Sequence, residues 1–380
     1  MKLFLIAGEA SGDALGAALM AGLKVLAPGI AFEGIGGARM EAEGLESRFP
    51  MEELSVMGLV EILPKYRQLK RRIAETAAAV AETAPDALVT IDSPDFCLRV
   101  AAAALALRPG LRTMHYVAPT VWAWRPGRAA KMAPVIDHVL ALFPFEPPYM
   151  EAAGMSCDFV GHPVVAEPLA GPAETAAFRA AHMIGPDQPL LLCLPGSRRS
   201  EVTRLAPPFE EAITRLRDRE PALRVVIPTV RGVGDLVRGI VAGWKVAPLV
   251  VEAAADRRAA FAAADVALAA SGTVSLELAA NRVPMVIAHD FNWLTWQMMK
   301  RAALIDTVTL VNIVSETRAI PEFLGPACRP GPIAEALARL VDDADARAAQ
   351  VTAMATTLER LGQGGEAPGL RAARSVLAHL

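Results

Sequence analysis

Short runs of consecutive apolar residues, each followed by a small-residue turn and then a helix-like stretch, recur along most of this chain. That alternation constrains the fold more than any other feature. Over the first 160 residues strands are expected at Leu3 to Ala7, Ala31 to Ile35, Ala87 to Ile91, Thr113 to Val117, His138 to Leu142 and Asp158 to Val160. Helical patterns such as Leu15 to Leu26 and Lys65 to Thr83 lie between them. Strands that are apolar at every position must be covered on both faces, and intervening helices supply that cover in a parallel sheet.

The alternation lapses at VVAEPLAGP, Val164 to Pro172, where two prolines and a glycine suit neither period. It resumes with strands expected at Leu190 to Leu194, Arg224 to Ile227, Leu249 to Glu252, Val266 to Leu268 and Met285 to Ala288, and helices such as Pro207 to Arg219 and Thr273 to Ala280. The expected architecture is α/β, with two Rossmann-like, doubly wound parallel-sheet domains in tandem over 1–165 and 173–330. A tail of Ala-rich helices over 331–380, broken at Gly362 to Gly369, packs the ends, one helix crossing back to the first domain. Such sheets bind ligands beyond the C-terminal ends of their strands, so two facing domains enclose a central cleft.

With 380 residues and 53% apolar content the chain suits two ordinary cores, and a net charge of −3 gives no sign of a nucleic-acid partner. Cys97, Cys157, Cys193 and Cys328 are scattered in apolar surroundings without a C-x-x-C or a His at ligand spacing, so they read as core residues in a reducing compartment and no metal site is expected. The apolar run at Leu3 leads straight into a turn and reads as a first strand, not a signal segment. No run reaches the roughly 18 uninterrupted apolar residues of a spanning helix, and a cytoplasmic location is expected.

The motifs follow the strands. LPGSRRSEV (194–202) ends an apolar run in a Pro-Gly turn before a helix that opens near Ser200 and Glu201. Gly196 permits close backbone approach, Ser197 and the helix N-terminus offer N–H groups, and Arg198 or Arg199 can fork two donors onto one anion. A diphosphate-bearing ligand fits; so does a solvated connection. In SGTVSLE (271–277), Ser271, Gly272 and Thr273 offer hydroxyls and amides to a phosphate and Glu277 suits ribose hydroxyls, although ordinary helix capping explains the same pattern. Together the two motifs point to a nucleotide-diphosphate pocket.

In GEASGD (8–13), Ser11 or Asp13 suits a helix cap, Gly8 and Gly12 allow a ligand or backbone to approach, and Glu9 stands at a strand's C-terminal end. The motif is neither G-x-G-x-x-G nor a P-loop. IDSPDF (91–96) sets Asp92 and Asp95 just after a strand; Asp92 is the better general base toward a hydroxyl, while Asp95 better suits a cap. HYVAPTVWAWRPGR (115–128) gathers His115, Tyr116, Trp122 and Trp124 with Arg125 and Arg128, either an acceptor-binding loop or a loop anchored by its tryptophans. The apolar stretch Met51 to Pro64, with Val56, Met57, Leu59, Val60 and Ile62, precedes Lys65, Arg67, Lys70, Arg71 and Arg72. It reads as a face that dips into an anionic interface or as a buried helix beside a basic one.

With GGARMEAEG (36–44), MEELSVMG (51–58), FPFE (143–146), FVGHP (159–163) and VTLVNI (308–313), these motifs resemble, in order, the lipid-A-disaccharide synthases, GT-B glycosyltransferases. The resemblance implies transfer from UDP-2,3-diacylglucosamine to 2,3-diacylglucosamine 1-phosphate (lipid X), giving a β-1,6 disaccharide 1-phosphate and UDP with inversion, without metal or cofactor. It implies Asp92 as base, Arg198 as diphosphate contact, Glu9 and Asn312 in the active site, and Ser271, Gly272, Thr273 and Glu277 in the UDP pocket with Gly196, Ser197 and Arg199. Ser11, Gly12, Asp13, Trp122, Trp124 and Arg125 are assigned to the acceptor. It also implies peripheral association with the inner membrane's cytoplasmic surface through Val56 to Ile62, and a homodimer with exchanged C-terminal helices. Arg199 stands where a Gly is frequent, and Val311 replaces the usual Pro before Asn312. Other UDP-sugar enzymes of the same fold, such as a UDP-N-acetylglucosamine 2-epimerase or the peptidoglycan N-acetylglucosaminyltransferase, are the alternatives. A nucleotide-sugar-binding regulator would have no use for Asp92.

Overall fold

The computed structural model describes residues 1–54, 59–230 and 232–380. It comprises two compact units, Met1–Ala166 with Leu361–Leu380, and Glu167–Arg360. The first holds strands β1 (Lys2–Ala7), β2 (Ala31–Ile35), β3 (Ala87–Ile91), β4 (Arg112–Tyr116), β5 (His138–Ala141) and β6 (Ser156–Phe159). They form one parallel sheet in the order β2-β1-β3-β4-β5-β6. The second holds β7 (Leu190–Leu194), β8 (Arg224–Pro228), β9 (Leu249–Val251), β10 (Val266–Ala269), β11 (Met285–His289) and β12 (Glu322–Leu324), also parallel, in the order β12-β11-β10-β7-β8-β9.

All eleven expected strands form, within two residues at either end. The central strands β3 and β7 are buried at every position, which is why their sequences are uninterrupted apolar runs. β12, absent from the sequence reading, is a three-residue edge strand, half-buried throughout, whose Glu-Phe-Leu carries no such run. In each sheet the winding reverses once, between β1 and β3 and between β7 and β10. The register sets Ala7 beside Ile91 and Leu194 beside Ala269, so at each reversal two neighbouring strands end together. Crevices at such reversals are where doubly wound sheets hold ligands.

The helix expected from Pro207 begins much earlier: one helix spans Arg199–Arg219 with Pro207 and Pro208 inside it. An interior proline costs about 3 kcal/mol. Against it stands an unbroken buried stripe, Val202, Leu205, Ala206, Phe209, Ala212, Ile213 and Leu216, each large member of which contributes roughly 1.5–3 kcal/mol on burial, so packing prevails.

The last helix, Pro368–Ala378, lies on the first, Ala10–Leu26, within the first unit. The two backbones meet at glycines: a Cβ on Gly369 would stand 2.5 Å from the carbonyl oxygen of Ala18, and one on Gly22 would stand 2.6 Å from that of Gly369. The same helix grips edge strand β6, since Arg371 Nη2 donates to the Phe159 carbonyl at 2.7 Å and Ser375 Oγ donates to Asp158 at 2.7 Å. Helix Pro330–Asp342 packs instead on Arg199–Arg219 in the second unit.

Among the described residues no helix is long and apolar enough to cross a membrane. Of the expected apolar patch, Val56 and Met57 lie outside the described residues, and Leu59, Val60 and Ile62 fall in the first turn of helix Leu59–Thr83, their side chains likewise outside the description. The basic stretch that follows is not uniformly free: Arg72 donates twice to Glu53, at 2.8 and 2.9 Å, and once to Glu75, while Arg67, Lys70 and Arg71 are exposed.

Substituting Gly369→Val should overpack this helix contact and lower stability by about 1–3 kcal/mol, read as a reduced urea midpoint with unchanged m value. An unchanged midpoint would mean that the two helices separate readily.

Candidate active site

In the second unit the loops leaving β7 and β10 line one cavity of about 440 Å³. Its walls bring together Gly196, Ser197, Arg198, Ser271, Gly272, Thr273 and Glu277, all singled out from the sequence. Gly196 has φ +115°, and a Cβ there would stand 2.6 Å from Glu201 Cβ, so this turn requires glycine for both reasons. Arg198 is the N-cap of helix Arg199–Arg219. Glu201, one turn in, reaches back: its Oε2 accepts from the Ser197 and Arg198 amides at 3.2 and 3.3 Å, and its Oε1 takes the Arg198 guanidinium at 2.7 Å. A carboxylate thus already rests on the amides and the cation that an external anion would use.

Two further wall residues come from distant parts of the chain. Thr229, just after β8, and Arg257, on helix Ala254–Ala263, present a buried hydroxyl and a buried Nε with no hydrogen-bond partner. Burial without a partner is costly, and a polar ligand would satisfy both groups. Thr229 was within reach of the sequence, since it lies two residues beyond a predicted strand; Arg257 carried no local signal. Burial, and then the nearby Glu167, raises the Glu277 carboxyl above its ordinary value, with Arg257 opposing.

Arg199 is not part of this cavity. As the first helical residue it turns away from the N-cap and lines a shallow surface groove with Ser200, Thr203 and Arg204. Asn312 is absent from the cavity wall as well. It is buried, its Nδ2 donating to the Ile320 carbonyl at 2.9 Å and to Thr307 Oγ1 at 3.2 Å, while its Oδ1 accepts from the Ile320 amide at 3.0 Å. Both ends of the amide are occupied in tying segment 307–320 together.

In the first unit the loops leaving β1 and β3 meet. Asp92 and Ser93 both adopt left-handed backbone, φ +55° and +44°, a strain of about 1–3 kcal/mol each. The Asp92 amide donates to the Tyr116 carbonyl at 3.0 Å, fixing the turn on β4. Its carboxylate is held by two donors, the Ser93 amide on Oδ1 at 2.9 Å and Ser11 Oγ on Oδ2 at 3.1 Å. Glu9 is the N-cap residue of helix Ala10–Leu26, whose second residue is Ser11.

Three of the residues assigned to the acceptor are engaged within the protein itself. Asp13 is buried, and its two oxygens accept from the amides of Gly37, Arg39 and Met40 at 2.8, 3.1 and 3.0 Å, so it caps the chain entering helix Ala38–Ala42. Gly12 is also buried, packed so closely that a Cβ would stand 3.2 Å from the Ile91 carbonyl. Trp122 is buried too: it donates from Nε1 to Glu146 Oε1 at 3.1 Å and meets Phe145 edge-on at 5.0 Å, so it anchors its loop. His115 and Tyr116 belong to buried β4. Trp124 and Arg125 remain on the surface, the guanidinium lying 4.1 Å over the indole. Arg125 has φ +52°.

Glu146 was missed as a contributor although FPFE contains it. Its Oε2 accepts from the Leu142 and Phe143 amides at 3.1 and 3.0 Å, and burial pushes its carboxyl up to about 7.

The sequence profile described as lipid-A-disaccharide synthetase matches residues 3–368. The chain belongs to this family. A lipid-A-disaccharide synthase of Ruegeria pomeroyi is 61% identical, over 100% of this chain and 96% of the relative. One of Rhodospirillum centenum is 48% identical, over 99% and 94%. Among solved structures, UDP-GlcNAc 2-epimerase from Neisseria meningitidis bound to UDP-GlcNAc aligns with a TM-score of 0.67 at 11% identity, covering 100% of this chain and 99% of that one. The calicheamicin glycosyltransferase aligns with a TM-score of 0.56 at 18% identity, covering 100% and 98%. These two likenesses concern the fold, which is the α/β GT-B type.

A raised carboxyl such as Glu146 stabilises the native state below its unfolded value and loses that contribution as pH rises toward about 7. Buried His115, His138 and His162, each lowered to about 4 by burial, act with the opposite sign, their contribution falling as pH drops below about 6.5. The informative quantity is therefore the stability difference between wild type and Glu146→Gln, which should change between pH 5 and about 7.5. A pH-independent difference would contradict the reading of Glu146.

Proposed function

We propose that the chain joins UDP-2,3-diacylglucosamine to 2,3-diacylglucosamine 1-phosphate. Family membership makes it a glycosyltransferase of lipid A disaccharide synthesis. In this reading the second unit holds the donor and the first holds the acceptor. The observation that carries the reading is Asp92: a carboxylate in strained backbone at a switch point, oriented by Ser11 and its own chain. Asp92 takes the proton of the acceptor's 6-hydroxyl as that oxygen bonds to the donor's anomeric carbon. The bond from that carbon to the diphosphate breaks with its electron pair leaving on UDP, so configuration inverts. Arg198, released from Glu201, and the amides at 196–198 receive the charge that develops on the leaving diphosphate. Ser271, Gly272 and Thr273 extend this cradle, and Glu277 faces the ribose. Glu9 stands close enough in sequence to Ser11 to assist at the acceptor hydroxyl, and Asn312 keeps its loop in shape.

Replacing Asp92 by Asn should remove disaccharide formation by a factor of about 10²–10⁴ while leaving UDP affinity unchanged in calorimetry. Arg198→Ala should weaken UDP binding about 10- to 100-fold, the loss of one charge-assisted contact, and Arg199→Ala should alter it less than about threefold. Turnover that survives Asp92→Asn largely intact would remove Asp92 from the base role.

The proposal includes peripheral contact with the inner membrane's cytoplasmic surface, supported by the apolar composition of Val56 to Ile62 and by exposed Arg67, Lys70 and Arg71. Reversing those three charges to Glu should abolish cosedimentation with vesicles containing anionic phospholipid; undiminished binding would overturn this part. A homodimer completes the reading.

A further inference from the structure

A second cavity, of about 530 Å³, lies in the first unit beside the Asp92 loop. It opens against Pro94 and Asp95, two and three residues beyond Asp92, and against the loop that follows β4. Its chemistry is two-sided. Among the described residues, Arg125, Arg128 and Lys131 supply three cations to its wall and Asp95 the one carboxylate. Leu98, Pro119 and Met132 supply an apolar floor.

The cations are built in by different means. Arg125 sits in left-handed backbone at φ +52° and stacks on Trp124, whose Nε1 reaches Thr120 Oγ1 at 3.3 Å. Arg128 and Lys131 are three apart on helix Gly127–Met132 and so share a face. The loop that carries Arg125 is pinned from below by Trp122 on Glu146. Asp95 offsets only one of the three charges, and weakly: its carboxylate is almost wholly exposed and pairs with Arg128 at 4.0 Å, too far for a hydrogen bond. Excess positive charge over a small apolar floor suits an amphiphile with a compact dianionic head.

We propose that Arg125, Arg128 and Lys131 bind the phosphomonoester of the acceptor and thereby set which end of its sugar reaches Asp92. This rests on the acceptor reading above. In a hexose 1-phosphate, the phosphate on C1 and the 6-hydroxyl carried by C5 flank the ring oxygen of one pyranose. A phosphate seated over residues 125–131 and a hydroxyl at Asp92 are then joined by that single ring, with the acyl chains free to run over Leu98 and Met132. The site selects acceptors that keep the anomeric phosphate and disfavours a second donor molecule, whose anomeric position carries a bulky nucleotide.

The test compares two acceptors, 2,3-diacylglucosamine 1-phosphate and the same lipid without phosphate, using full-length enzyme and saturating donor in neutral detergent micelles. Wild type should prefer the phosphorylated acceptor. Arg128→Gln/Lys131→Gln, which removes two charge-assisted contacts, should raise its KM by at least about 10-fold, the lower end for losing one such contact, with donor KM unchanged and turnover of the phosphate-free acceptor unaltered. Arg128→Lys/Lys131→Arg, which keeps both charges, should recover most of the preference. A preserved preference in the Gln variant overturns the proposal. So does a loss seen only when anionic phospholipid is added to the micelles, which would assign the cations to bulk lipid headgroups. If wild type forms no disaccharide from either acceptor, the acceptor reading itself fails and takes this site with it.

Discussion

Burial of the central strands on both faces is the constraint on which the rest of this protein depends. β3 and β7 have no exposed position, so they have no room for a functional side chain along their length. Chemistry is displaced to the strand ends, and among those ends the two winding reversals leave space between diverging loops. The Asp92 loop sits at one reversal and the Arg198 cavity at the other. The polar groups there are unusual for the same reason: left-handed Asp92 and Ser93 in the first unit, partnerless Thr229 and Arg257 in the second.

At both reversals the protein holds its own polar groups ready with internal partners. Ser11 and the Ser93 amide orient Asp92. Glu201 occupies Arg198 and two backbone amides, a local arrangement at an exposed helix start that an incoming diphosphate can replace with stronger charge. Asp92 thus needs little reorganisation when substrate arrives, which is where electrostatic catalysis gains most, whereas Arg198 must turn from Glu201.

Much of this was legible in the sequence because it was local. Continuous apolar runs located β3 and β7 to the residue, and Gly196, Ser197, Arg198 with Ser271 to Glu277 declared themselves by following such runs. What was not legible depended on partners far along the chain. Asp13 suited a cap of its own helix, or by resemblance an acceptor contact, but its three amide donors come from residues 37–40. Trp122 resembled a contact residue, but Glu146, 24 positions away, draws it inward. Asn312 carried the family's motif, yet its hydrogen bonds run to Ile320 and Thr307. Prolines 207 and 208 suggested a separate helix from Pro207 where one helix runs through, because a buried stripe outweighs a local penalty, and β12 was too short to leave a pattern.

The central claim is that the donor's diphosphate rests at the second unit's reversal, on the amides at 196–198 and on Arg198. A crystal structure with UDP tests it most directly. The account predicts density for the diphosphate within hydrogen-bond distance of those amides, with Arg198 turned from Glu201 onto a phosphate oxygen and Arg199 uninvolved. A diphosphate bound in the first unit, or one that leaves the Arg198–Glu201 pair intact, would contradict it.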